Sequence, residues 1–188
     1  MTAPAAEERL ALLARFRTMY EGCQFEPGLF DLDQGYLQTT LSDDRRMPLR
    51  FFVEYNNAWW FALITGVTVP MISYDPATDS GAIVLDIHYE QDTLRAMQHV
   101  HFGDGVINRI RTYASNTFFT LPRPLVELDR YGNSIWLETG YDLAASLAAA
   151  ETFLDTPAGR QFAGSAPTKP AVGRIRANLT ELRARLGS

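Results

Sequence analysis

The chain has one cysteine, Cys23, among its 188 residues. A single cysteine forms no disulfide within the chain and no cysteine-cluster metal site, which excludes the disulfide-stapled class of small secreted proteins. We interpret Cys23 as a small packed residue after a helix and not as a nucleophile. This composition predicts a reducing compartment, the cytoplasm.

Long apolar runs are also missing. No stretch of about 18 apolar residues occurs, so the sequence predicts no transmembrane helix and no membrane partner. Residues Met1 to Glu8 include two glutamates and no apolar stretch of signal-peptide length, and we therefore expect a cytoplasmic protein.

Motifs that bind cofactors are scarce. No glycine-rich phosphate loop occurs, because Gly103-Asp104-Gly105 lacks the rest of any nucleotide fingerprint. His99 and His101 fall in a segment whose spacing predicts a helix, where they would point about 200° apart and away from a common metal. His88 is predicted on the polar side of its strand. The sequence therefore predicts no metal, no cofactor and no catalytic histidine.

Paired carboxylates offer a further route to acid–base chemistry. Glu127 and Asp129 are two residues apart, as are Glu90 and Asp92. Both pairs lie at predicted turn or cap positions, so we interpret them as solvated ends of elements.

Charge is unevenly distributed along the chain. The formal net charge is −5, but residues 167–188 carry five basic side chains against one acidic side chain, a net of +4 that leaves −9 on the rest. The overall acidity argues against strong direct binding of nucleic acid.

The most apolar segment is Met47 to Val67. Asn56-Asn57 is typical of a tight turn, and the flanking residues predict two long antiparallel strands. One face of that hairpin is continuously apolar. The other face also carries large apolar side chains, which we expect to form a protein interface; they are Phe52, Trp59, Phe61 and Leu63.

Other patterns predict the remaining elements. Pro4, the acidic residues after it and Gly22 bracket a first helix, in which Leu10, Leu13, Phe16 or Arg17, and Tyr20 recur at helical spacing and predict one apolar stripe. Before the apolar segment, we predict a strand near Tyr36 to Ser42 and a turn at Asp43 to Arg46. After it, we predict a strand at Ile83 to Tyr89 and then a broken helical crossover from Thr93 to Tyr113. The last predictions in this part of the chain are a late hairpin of Leu125 to Leu128 with Ser134 to Thr139, and a helix from Leu143 to Leu154 capped by Asp142. This order predicts an α+β fold with an antiparallel sheet, a meander plus the late hairpin.

The C-terminal part predicts a separate unit. We divide the chain into a domain at 1–163, a linker at 164–170 and a basic amphipathic tail helix at 171–188. Four aliphatic residues are expected to dock the helix, and four arginines are expected to contact an acidic partner; these are Ile175, Leu179, Leu182 and Leu186, with Arg174, Arg176, Arg183 and Arg185.

The segment from Leu125 to Glu138, with its acidic, glycine-containing turn Asp129 to Asn133, resembles the late hairpin of the YbjN-like proteins. Asn116 would correspond to the asparagine that precedes that hairpin. The order of elements over residues 7–154 carries the rest of the resemblance. It implies the fold of the type III secretion chaperones and a non-enzymatic, dimer-forming protein-binding module, with a link to stress responses.

Three functions follow from these patterns. The first is a homodimeric, cytoplasmic adaptor or chaperone that binds another, unidentified protein. The second is a nucleic-acid-associated protein that binds single strands through sheet aromatics, such as those of Arg50 to Tyr55, and the basic tail. The third is an enzyme of unrecognised class that uses acidic residues and histidines, with a deep pocket as its signature.

Overall fold

The computed structural model describes residues 3–39, 46–90, 92–114 and 123–187. Within these residues the chain forms six α-helices and six strands around one sheet. The helices are α1 (Ala3–Glu21), α2 (Leu49–Ala58), α3 (Arg123–Glu138), α4 (Leu143–Asp155), α5 (Pro157–Gly164) and α6 (Lys169–Leu186), and the strands are β1 (Tyr36–Thr39), β2 (Arg46–Pro48), β3 (Gly66–Asp75), β4 (Ser80–His88), β5 (Thr93–Gly103) and β6 (Val106–Ala114).

The sheet is mixed. Its strand order is β2-β1-β6-β5-β4-β3, and β1 pairs with β6 in parallel, while the other neighbouring strands pair antiparallel. The prediction of a wholly antiparallel sheet is therefore wrong. Register shifts between Thr68 and Met71 and between His101 and Phe102 interrupt two ladders, and such bulges bend a sheet. Pro70 fits within the first bulge because β3 is an edge strand.

Helix α1 lies on one face of the sheet, which we call the inner face. It packs against β3 and β4 through Leu13, Phe16 and Tyr20, each at most 1% exposed. The first helix is thus confirmed. Its predicted apolar stripe is confirmed at Leu13, Phe16 and Tyr20, but Leu10 is 43% exposed and does not belong to it. The β4 strand is also confirmed, since Ile83, Leu85 and Ile87 alternate with less buried residues.

The predicted hairpin at Met47 to Val67 is wrong. Residues Leu49–Ala58 form α2, and the Asn56-Asn57 pair lies inside this helix and not in a turn. Asn57 forms hydrogen bonds of 2.8 and 2.9 Å with the backbone N–H and C=O of Phe25. The least buried residues of this segment, Arg50, Glu54 and Asn57, recur at helical spacing, but the interpretation gave more weight to the Asn-Asn pair as a turn.

The predicted helical crossover from Thr93 to Tyr113 is also wrong, because these residues form the β5–β6 hairpin. Asp104 and Gly105, with φ of 40° and 78°, make the two-residue turn that such a hairpin favours. Every second side chain of β5 from Leu94 to Phe102 is buried, which is strand periodicity.

The predicted late hairpin is a single helix, α3. Leu125, Leu128, Gly132 and Trp136 follow one another at helical spacing, and the turn-like composition around Gly132 misled the interpretation. A β-carbon at Gly132 would collide with the indole of Trp59, so the glycine serves close packing and not a turn.

The C-terminal helices pack on this body. Asp142 accepts a 2.7 Å hydrogen bond from the Ala145 N–H, which confirms the cap of α4. Helix α6 lies against α2, α4 and α5. No helix in the described ranges is long and apolar enough to cross a membrane.

Three predictions lie wholly or partly outside the described residues. They are the end of the first strand beyond Thr39, the turn from Asp43 to Arg46 and the correspondence of Asn116.

Candidate active site

A cavity of about 180 Å³ lies between the inner face of the sheet and helices α1, α2 and α3. Most of its lining is apolar, with a few polar side chains, as is typical of small-molecule sites. The lining residues are Tyr20, Leu37, Thr39, Met47, Phe52, Tyr55, Asn56, Trp60, Leu85, Ile87, Tyr89, Leu94, Ala96, Gln98, Thr112, Asp129 and Asn133.

The one ionisable carboxyl in this lining belongs to Asp129, on α3. The Tyr55 hydroxyl, on α2, donates to its Oδ1 at 2.6 Å. The Asn133 amide, one helical turn further along α3, donates to its Oδ2 at 3.2 Å and to its backbone carbonyl at 3.1 Å. Two elements therefore fix the orientation of the carboxyl group.

Burial raises the pKa of Asp129 from 3.8 to about 6. The hydrogen bonds from Tyr55 and Asn133 act in the opposite direction, because they stabilise the carboxylate, but burial outweighs them. A carboxyl with this pKa exchanges its proton near neutral pH, as general acids and bases must.

Two further phenols line the cavity. Burial raises the pKa of Tyr89, and the charge of Asp129 adds to the shift. Burial also raises the pKa of Tyr20, while a hydrogen bond with Gln98 acts to lower it. Both phenols stay protonated at neutral pH and can donate hydrogen bonds.

A polar row crosses the inner face of the sheet. Thr39 pairs in register with Thr112 across β1 and β6, and Thr112 pairs with Gln98 across β6 and β5. The Gln98 amide N–H donates to the Thr112 hydroxyl at 3.1 Å. The cavity thus has the Asp129 carboxyl on α3 and an uncharged polar row on the sheet.

The four aromatic and aliphatic residues expected at a protein interface lie in the core of this chain. Phe52, Trp59, Phe61 and Leu63 are each no more than 7% exposed. Phe52 lies on helix α2, so the predicted hairpin and its second apolar face do not exist. The segment Arg50 to Tyr55 likewise lies on a helix, so it offers no aromatic strand for stacking bases.

The tail residues also form contacts within the chain. Ile175, Leu179 and Leu182 are buried, whereas Leu186 is 45% exposed. All four arginines bond to groups of the same chain: Arg174 to the Ala62 carbonyl, Arg176 to the Leu154 carbonyl and Asp155, Arg183 to Glu151, and Arg185 to Glu54.

The histidines lie away from the cavity. His99 and His101 share a face of β5 opposite to that of Gln98, with ring centroids 4.5 Å apart, so the prediction that they point apart is wrong. Arg109 donates to the His101 ring at 2.6 Å, and burial and this guanidinium lower the pKa of His101. In the described parts of the chain, no three His, Cys, Asp or Glu side chains are grouped to hold a metal ion.

Sequence reasoning named Asp129 but placed it in a solvated turn. The signal that it missed is a polar residue on an apolar helical stripe: Asp129 lies four residues after Leu125, and Asn133 lies four residues after Asp129, so the three share a face of α3. Gln98 was missed for a similar reason, since it interrupts an otherwise apolar alternation along β5.

No family model matches the sequence, and no curated protein matches it. Solved structures match its fold. A steroid delta-isomerase from Pseudomonas aeruginosa is 10% identical over 70% of this chain and 95% of its own, with a TM-score of 0.52. A candidate SnoaL-like polyketide cyclase from Jannaschia sp. CCS1 is 10% identical over 64% of this chain and 94% of its own, with a TM-score of 0.50. A de novo designed protein with a curved β-sheet is 13% identical over 68% of this chain and 99% of its own, with a TM-score of 0.50.

These likenesses concern the fold, which resembles the NTF2-like cone, a curved sheet wrapped around helices. They overturn the resemblance to the YbjN-like proteins and to the type III secretion chaperones, together with the non-enzymatic adaptor and its stress association that the resemblance implied. The physical source of the error is the Leu125 to Glu138 segment, which is helix α3 and not a hairpin.

Proposed function

We propose that this protein is an enzyme that moves a proton on a small, largely apolar substrate held in the cavity, with Asp129 as the general base. The observation that carries the proposal is the Asp129 carboxyl, fixed by Tyr55 and Asn133 in an apolar cavity where burial raises its pKa to about 6. The names of two proteins of similar fold, an isomerase and a cyclase, agree with an enzyme.

The reaction class that fits these groups is proton transfer at a carbon next to a carbonyl. In a ketone with a β,γ double bond, the Asp129 carboxylate would take a proton from the carbon between the carbonyl and that double bond, and the electron pair of the C–H bond would delocalise onto the carbonyl oxygen as a dienolate. The same carboxyl would then return the proton to the γ carbon, while the C=O bond re-forms and the C=C bond shifts into conjugation with it. The Tyr89 hydroxyl, which lines the same cavity and stays protonated, would donate a hydrogen bond to the developing oxyanion.

A one-ring carbon acid tests the proposal. The conversion of 3-cyclohexen-1-one into its conjugated isomer needs only this proton shift and is followed by ultraviolet absorbance. We expect kcat/KM to rise with pH through about 6 and then level off, because only the carboxylate is a base. Asp129→Asn should lower the rate by about 10²- to 10⁴-fold.

Asp104→Asn is the matched control, since Asp104 is exposed at the β5–β6 turn and asparagine tolerates its positive φ. It should leave the rate unchanged. A wild-type protein no faster than buffer, or an Asp129→Asn variant as fast as the wild type, would contradict the proposal.

The homodimer, the unidentified protein partner and the cytoplasmic location remain predictions. Light scattering after size exclusion measures the first of these directly, with about twice 21.1 kDa as the expected mass.

A further inference from the structure

Gln98 is an unusual residue for its place. Along β5 the inward positions are Leu94, Ala96, Gln98, Val100 and Phe102, all buried, and only the third is polar. Gln98 is 3% exposed. An apolar side chain there would satisfy the packing without placing an amide in the core.

The amide is satisfied at one end only. Its Nε2 donates to the Thr112 hydroxyl at 3.1 Å. The amide's hydrogen bond with Tyr20 acts to lower the pKa of that phenol, as a donated N–H does, and this agrees with the same orientation of the group. Its Oε1 is buried and accepts no hydrogen bond from any residue that the structure describes. A buried carbonyl oxygen without a donor is costly, so it commonly marks a place where something else donates.

Gln98 also lines the cavity that contains Asp129. The cavity's volume of about 180 Å³ is below the range of roughly 300–1,000 Å³ typical of drug-sized ligands. It is close to the engineered cavity of about 150 Å³ that binds benzene in another protein. One six-membered ring is therefore the size of group that it accommodates.

We infer that the cavity selects a ring-sized ligand bearing a hydroxyl or N–H group, and that this group donates to Gln98 Oε1. The inference rests on the proposed function, because the same cavity would hold the substrate, and it adds the chemical class of the preferred substrate, a ring with a hydroxyl or N–H donor. A ring without that donor, such as 3-cyclohexen-1-one, leaves Oε1 unpaired and should react with a higher KM. Gln98 is then a specificity-determining residue, whereas Asp129 carries the reaction.

Phenol and toluene form the test pair, since they are similar in size and differ in the hydroxyl donor. Calorimetric titration of the full chain should give an affinity for phenol at least about 10-fold above that for toluene, because toluene leaves Oε1 unpaired. In Gln98→Met, an unbranched apolar replacement, the affinity for phenol should fall about 10-fold, while the affinity for toluene should stay the same or rise. Gln161→Met, the same change at an exposed position of α5, should keep the wild-type ratio.

The Asp129→Asn variant separates this inference from the proposed function. It should retain the preference for phenol even though it loses proton transfer. If its preference disappears while that of Gln98→Met persists, the hydroxyl binds at Asp129 and the inference is wrong, although the base remains in place. If Asp129→Asn retains the proton transfer, the proposed function is wrong while the preference for phenol can still stand.

A measurement on the wild type alone guards against a Gln98→Met variant that does not fold. Saturating phenol should shift the side-chain amide resonances of Gln98 in ¹⁵N NMR spectra, and toluene should shift them much less. Equal affinities of the wild type for phenol and toluene, no binding of either, or unshifted Gln98 resonances with bound phenol would each overturn the inference.

Discussion

Replacing Asp129 by asparagine should change how the stability of the protein depends on pH. Asparagine keeps the size of the side chain and can still accept the Tyr55 hydroxyl, but it does not ionise. In the wild type, burial raises the pKa of the carboxyl from 3.8 to about 6, so folding disfavours the charged form. The asparagine variant does not carry that penalty.

The magnitude follows from this shift. A difference of about 2 pH units corresponds to about 3 kcal/mol at most, and water reaching this partly buried residue reduces it to about 1–2 kcal/mol. The stability that the protonated carboxyl contributes is fully present below about pH 4 and is lost as the pH rises through about 6. The free energy of unfolding of the variant, relative to that of the wild type, should therefore rise by about 1–2 kcal/mol between pH 4 and pH 7.5.

Chemical denaturation followed by circular dichroism at pH 4, 5, 6, 7 and 7.5 measures this difference. Asp75, Asp79 and Asp86 have lowered pKa values and stabilise the protein as the pH rises, but they do so equally in both proteins and cancel. Asp104→Asn, at an exposed turn position, is the matched control and should change the free energy of unfolding by no more than about 0.5 kcal/mol at each of these pH values. A flat difference for Asp129→Asn would refute the reasoning.

Three other substitutions test the surroundings of the site. Tyr55→Phe should raise the pKa of Asp129 by roughly one unit, because the carboxylate loses a donor; carboxyl NMR titration measures it. Gly132→Ala should destabilise the protein by about 1–3 kcal/mol in urea unfolding, since the added methyl group meets a buried indole. Leu179→Ala should reduce the free energy of unfolding by about 2–5 kcal/mol, since the residue is 1% exposed.

Each of these changes has a control in the same chain. Tyr113→Phe, at a 37% exposed position, should leave the pKa of Asp129 unchanged. Gly173→Ala should stabilise α6 by up to about 1 kcal/mol, because a β-carbon there meets nothing within 4 Å. Leu186→Ala, at a 45% exposed position, should change stability by no more than about 0.5 kcal/mol. If a test substitution and its control change the measured pKa or free energy of unfolding by similar amounts, the contact assigned to the test residue is contradicted.

Local chemistry was enough to locate several elements from the sequence. Helix α1 begins near Pro4 and ends before Gly22, helix α4 has Asp142 as its cap, and β4 alternates apolar and polar side chains. Each of these signals acts within a few residues: a capping hydrogen bond, a helix-breaking glycine, or a two-residue period. Such elements can be recognised without knowing what packs against them.

Only the tertiary structure decided the fold and the site. The segment from Leu49 to Ala58 carries its less buried polar residues Arg50, Glu54 and Asn57 at helical spacing, but its Asn-Asn pair also fits a hairpin turn. The packing of α2 between the sheet and α6 decides for the helix. Gly132 in α3 suggests a turn from the sequence alone, and only the folded structure shows that it packs against the Trp59 indole. From the sequence alone, Asp129 was interpreted as a solvated carboxylate. Its raised pKa comes from burial by α2 and the sheet, whose side chains are distant in sequence and meet only in the folded chain.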